Sequence, residues 1–118
     1  MIANLIAYLM HSRNQAHIFH LQTTSFAQHT ALQKYYEGII PLVDTLAETY
    51  QGRYGILQNI NIPKSTNTSI NYSSYFKTIL NYIDTNYDKL PQDSELKNIY
   101  DEIKSLISST IYLLDNLK

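Results

Sequence analysis

Three of the four histidines in this 118-residue chain, His17, His20 and His29, fall within the stretch QAHIFHLQTTSFAQHTALQKYYEG. A carboxylate pair, Asp44 and Glu48, follows in VDTLAE, with Glu37 between the two groups. Imidazole and carboxylate donors suit first-row metals: iron, with zinc and manganese as the other candidates. Asp44 and Glu48 stand four apart, so they share one helix face. His17 and His29 lie on successive helices near the hairpin that joins them, and can converge there. His29 and Asp44 are fifteen positions apart on one helix, roughly 22 Å at about 1.5 Å per residue. No ion can be bound by both within a chain whose helix does not fold back. Either there are two unrelated half-sites, or the histidines of one chain meet Asp44 and Glu48 of a second. A two-fold dimer with antiparallel second helices would create two such sites at once. The crossing would fall near residues 37 to 38, where Gly38 permits close backbone approach.

These side chains need long helices to hold them, and the apolar pattern supplies four. Ile2, Leu5, Ile6, Leu9, Arg13, Ala16, His17 and His20 keep helical spacing to about Gln22. TTS then breaks the pattern, and Thr24 or Ser25 is the expected N-cap of a second helix from about Phe26 to Gln51, stopped by Gly52. Pro41 inside it removes the bond to the Glu37 carbonyl and should bend it. GRYGILQNINIPKSTNTSINYSS reads as a polar crossover, with GILQNINI as a short helix or strand and TNTS as a loop. A third helix follows from about Ser73 to Asp88, with Phe76, Ile79, Leu80, Ile83 and Tyr87 on one face. After the LPQD break, a fourth runs from about Ser94 to Leu117. Its seam reads Leu96, Ile99, Ile103, Leu106, Thr110, Leu113 and Leu117. The expected fold is all-α: one antiparallel four-helix bundle over residues 1–118, with the single long crossover of ferritin-like folds.

Composition narrows the function classes. The chain is 44% apolar and 16% charged with net charge −1, enough apolar content for one ordered core. It has no cysteine, which excludes disulfide scaffolds, thiolate metal sites and thiol catalysis. Near-neutral charge without a Lys/Arg run argues against strong nucleic-acid binding. MIANLIAYLMH is too short to span a bilayer and lacks a basic leader pattern, so a cytoplasmic location is expected, or the host cytoplasm for a viral chain. His11 reads as a surface residue, and Glu37 as a solvated face or an outer support of the site. Tyr35 and Tyr36, among eleven tyrosines, read as core or interface residues before any redox role.

The intervals from His17 to His29, Asp44 and Glu48 (twelve, fifteen and four) resemble the ferroxidase site of the Dps family, ferritin-like mini-cage proteins of starved bacteria. QAH before the first ligand, FA before the second and VDTLAE around the last pair are similar as well, and the likeness covers roughly residues 13 to 52. It implies that His17, His29, Asp44 and Glu48 are iron ligands in a site shared between two subunits, with Glu48 the strongest. The activity implied is oxidation of Fe(II) by peroxide or oxygen, for storage or detoxification, in a homodimer or larger homo-oligomer. His20, Gln33 and Glu37 fall where they can support those ligands. Gln33 departs from the family, which usually has a carboxylate four residues after the second histidine, and a neutral amide weakens two-iron ferroxidase chemistry. The family's basic N-terminal arm is also missing. The rival expectation is a non-enzymatic helical dimer or oligomer, an interaction or structural protein such as a phage encodes, with a degenerate or structural metal site.

Overall fold

The computed structural model describes residues 1–66 and 70–117. Among them four helices pack together: α1 (Ile2–Gln22), α2 (Phe26–Tyr54), α3 (Tyr72–Asn86) and α4 (Ser94–Asn116), with a 3-10 turn at Tyr87–Lys89. The expected all-α four-helix bundle is the fold. No helix is long and apolar enough to cross a membrane among the described residues.

Local chemistry sets the helix starts. Ser25 Oγ caps α2 by accepting the Gln28 amide, and the Asn71 side chain caps α3 by accepting that of Ser74. α2 does not stop at Gly52. It continues to Tyr54 and ends at Gly55, whose φ of 98° favours a residue without Cβ. Gly52 sits in open space within the helix, so it weakens propensity there without breaking the ladder. Pro41 also lies inside the unbroken helix and is exposed.

Side-chain contacts fix the topology. Phe19 meets Tyr72 and Tyr75 at 4.5 and 5.6 Å, and Tyr8 meets Tyr82 at 5.1 Å, so α1 and α3 run antiparallel. Lys104 pairs with Asp84 at 2.7 Å and Lys77 with Asp115 at 3.2 Å, making α3 and α4 antiparallel. Arg53 and Tyr54 reach Asp93 while Gly38 faces Leu106, so α2 and α4 are antiparallel too. α2 and α3 are therefore parallel, and the link between them must travel back along the bundle. It covers roughly 36–42 Å, judged from helical rises of about 1.5 Å. Residues 55–66, the described stretch after α2, hold no helix or strand. GILQNINI accordingly forms neither the helix nor the strand its composition suggested. A strand needs a partner for its backbone groups, and none is present among the described residues. The TNTS loop falls mostly on residues 67–69, outside the described residues.

The crossover is tied to α1 by His11, which is half-buried and not a free surface residue. Its Nε2 donates to the Ser65 carbonyl at 2.8 Å, and its Nδ1 faces the Tyr75 hydroxyl at 3.5 Å. The core beneath is continuous, with Phe19, Leu32, Tyr35, Phe76, Ile79 and Tyr100 fully buried. Tyr35 satisfies its hydroxyl there. Ser12 Oγ spends its proton on the Leu9 carbonyl at 2.6 Å, so Tyr35 donates to Ser12 at 2.7 Å, and burial pushes the phenol pKa up. The α4 seam also differs from the 3,4 reading beyond Ile103. Ile107, Thr110 and Leu114 are buried, while Leu106 and Leu113 are half-buried and Leu117 is exposed. A straight 3.6-residue helix drifts away from a 3.5-residue repeat, and the apolar line follows the helix.

Candidate metal centre

The α1–α2 hairpin brings all three neighbouring histidines to one end of the bundle. His20 and His29 stack with ring centroids 3.5 Å apart and planes 21° from parallel. Each also bonds the other's backbone: His20 Nδ1 to the His29 carbonyl at 2.7 Å, and His29 Nδ1 to the His20 carbonyl at 2.9 Å. His20 is buried at 7% exposure, and His29 is half-buried.

His17 lies one turn back on α1. Its ring stacks on Tyr36 at 4.4 Å and meets His20 edge-on at 5.8 Å. The Arg13 guanidinium lies 5.3 Å from the Tyr36 ring centre. Desolvation first, then the charge of Arg13 and the neighbouring His20, hold the His17 imidazole pKa below its ordinary value. Among the described residues the His17 ring has ring contacts but no hydrogen-bond partner.

Further along α2, Gln33 Nε2 donates to Glu37 Oε1 at 2.8 Å. The amide nitrogen is thereby engaged, and only the Gln33 carbonyl oxygen remains to act as a donor toward a metal. Asp44 lines a groove of about 250 Å³ between α1 and α2, together with Met10, Arg13, Ile40, Val43 and Ile62 of the crossover. Glu48, exposed, is one turn beyond. Ile40 and Ile62 leave 44% and 43% of their surface exposed in this groove.

Among the described residues no three His, Asp or Glu side chains come together as a metal cluster. Within one chain the imidazoles and the Asp44/Glu48 pair are thus separate, as their positions on the continuous α2 require. Gly38 does not serve the role expected of it. A Cβ there would meet Leu106 Cδ2 at 3.3 Å, so the glycine admits α4 of its own chain and offers no bare backbone to a partner. The residues of α2 that border the open groove are instead Ile39, Ile40, Val43 and Asp44. Ile40 and Asp44 continue a stripe that starts at His29, Gln33 and Tyr36, at intervals of four, three, four and four. Tyr36 and Ile40 carry no donor a metal search looks for, which is why ligand spacing passed over them.

No curated protein and no solved structure matches this chain. A family model does match, over residues 20–114, which includes His20, His29, Asp44, Glu48, the whole of α2 and α3 and nearly all of α4. The chain belongs to this family, DUF5856, a family of unknown function.

Proposed function

We propose that the protein binds iron between two copies of itself and oxidises it, for storage or peroxide removal. The observation that carries the proposal is the placement of the donors on one rigid rod. His29 and the Asp44/Glu48 pair occupy the same unbroken helix about 22 Å apart. His29 and Asp44 also share one stripe of that helix, and Asp44 lines the α1–α2 groove. A second chain lying antiparallel over that groove brings each imidazole group against a carboxylate pair, and its partly exposed Ile40 and Ile62 find apolar cover. The donor set is suited to Fe(II): two carboxylates, one imidazole from α2 and one from α1, for which the likeness to Dps sites implies His17. The likeness to Dps ferroxidase sites supports the same arrangement.

In the overall reaction, two Fe(II) each give one electron. Hydrogen peroxide takes both electrons, with two protons, to leave two waters. The protein's part is to hold Fe(II) with anionic oxygens that favour the higher charge of the product. Gln33, neutral and bonded to Glu37, adds no charge, so the site favours one firmly held ion over two. That observation also favours a second reading: a helical oligomer in which a single zinc ion, or none, joins the chains.

Titration of the protein with Fe(II) followed by peroxide separates the two, with absorbance near 300–350 nm reporting oxidation and native mass reporting assembly. Oxidation that Glu48→Ala abolishes supports the iron reading. Absence of iron binding in wild type and Glu48→Ala alike sinks it.

A further inference from the structure

We propose that the cavity beside the crossover, between α1 and α3, binds a neutral, flat ring with a lactam edge, of about the size of a nucleoside. The proposal is independent of the metal reading and shares no residue with it.

The cavity has a volume of about 420 Å³, within the range of roughly 300–1,000 Å³ usual for small-molecule sites. Asn4, Tyr8 and His11 come from α1, Tyr75 from α3, and Asn61 and Pro63 from the crossover. Among the described lining residues none is Asp, Glu, Lys or Arg. An ion entering would give up its water with no counter-charge to meet it, so the lining selects an uncharged molecule. Tyr8, Tyr75 and Pro63 supply ring surfaces that suit the faces of a planar guest.

The polar signal lies where His11 and Tyr75 meet. Tyr75 is buried, with 8% exposure, and among the described residues its hydroxyl has one polar neighbour, His11 Nδ1 at 3.5 Å. A formed hydrogen bond spans roughly 2.5–3.2 Å, so this buried donor is left unsatisfied. The roles of both groups are fixed. A carbonyl only accepts, and His11 Nε2 lies 2.8 Å from the Ser65 carbonyl, so Nε2 carries the proton and Nδ1 keeps its lone pair. Burial holds the Tyr75 phenol pKa above its ordinary value, so the group stays an O–H donor. A donor and an acceptor thus stand side by side, too far apart to satisfy each other. A lactam completes both, its carbonyl accepting from Tyr75 and its adjacent N–H donating to His11 Nδ1. Asn4 and Asn61, both exposed, have donors and acceptors for the hydroxyls of an attached sugar.

Uridine is the probe, because its base is neutral and places a lactam N–H between two carbonyls. Titration of the full chain with millimolar uridine should shift the carbon-edited NMR signals of both the His11 and the Tyr75 rings. N3-methyluridine, which lacks the N–H, should bind roughly 10-fold more weakly, since it leaves His11 unpaired. Uridine 5′-monophosphate should gain nothing from its charge. Tyr75→Phe removes only a hydroxyl and should weaken uridine roughly 3- to 10-fold while the fold melts near wild type. If uridine moves neither ring, the cavity holds water alone and the proposal fails. Equal binding of N3-methyluridine, or wild-type affinity in Tyr75→Phe, overturns the lactam assignment. Tighter binding of the monophosphate overturns the neutral one. The comparison of the three ligands uses the wild-type chain, so it decides even where the variant is unstable.

Discussion

Ile40 offers a direct test of where a partner chain sits, because its truncation should weaken assembly while sparing the fold. The side chain lies at the groove between α1 and α2 with 44% of its surface still exposed. Full burial of such a side chain is worth about 1.5–3 kcal/mol, so the share still available to a partner is about 0.7–1.3 kcal/mol per chain. A two-fold dimer contains the residue twice, giving about 1.3–2.6 kcal/mol per interface. At about 1.4 kcal/mol per decade, Ile40→Ala should raise the dimer dissociation constant roughly 10- to 70-fold. Monomer stability should fall only modestly: the share of Ile40 already buried is worth about 0.8–1.7 kcal/mol on the same scale, and alanine returns a few tenths in helix propensity. Sedimentation equilibrium across a dilution series measures the first quantity and thermal circular dichroism the second. Because no metal ligand is touched, iron binding at low chain concentration should fall with the dimer. An unchanged dissociation constant in a fully folded variant would refute the groove as the docking face. A large drop in melting temperature would instead show that Ile40 belongs to the monomer's own core.

Other consequences can be checked alongside. Gly52→Ala should stabilise the fold by about 0.8–1 kcal/mol, since its Cβ meets nothing within 4 Å. Gly38→Leu should destabilise it by about 1–3 kcal/mol through the clash with Leu106, and paired urea melts compare the two. His17 has a lowered pKa, so neutral His17 contributes stability that is full above its unfolded value and is lost as pH falls through the folded one. Arg13→Gln should raise the His17 pKa toward the ordinary imidazole value, read from its ring-proton shift against pH. Asp93 is held below the usual carboxylate range by the Tyr54 hydroxyl first and Arg53 second. Its contribution is therefore full above the unfolded value and lost as pH falls through the lower folded one. Asp93→Asn should melt below wild type at pH 7 and converge with it in strong acid, as followed by thermal melts.

Helix number, order and the start of α2 were legible because apolar spacing and a serine cap are local signals, and the structure retains them. The end of α2 was misread for a local reason as well. Gly52 and Gly55 look alike in sequence, and only a positive φ separates a helix stop from a tolerated glycine. Where the answer lay in contacts distant along the chain, spacing was silent. Gly38 is explained by Leu106, sixty-eight positions away, and His11 by Ser65 across the crossover. For the site, residue types and the separation of the two halves were readable from helical rise alone. The reciprocal bonds by which the His20 and His29 rings each reach the other's backbone carbonyl were not. They exist only once the hairpin has closed.

The unbroken α2 has one more consequence, in the thermodynamics of the site. In the proposed shared site, donors divided between two chains would make metal binding and association a single linked equilibrium. Apparent metal affinity then rises with chain concentration, and each added ion draws monomers together. On that reading, a cell making little of the protein would hold monomers that leave free iron alone. Once enough chain accumulated, the same molecules would become a sink, and expression level alone would set the onset of uptake.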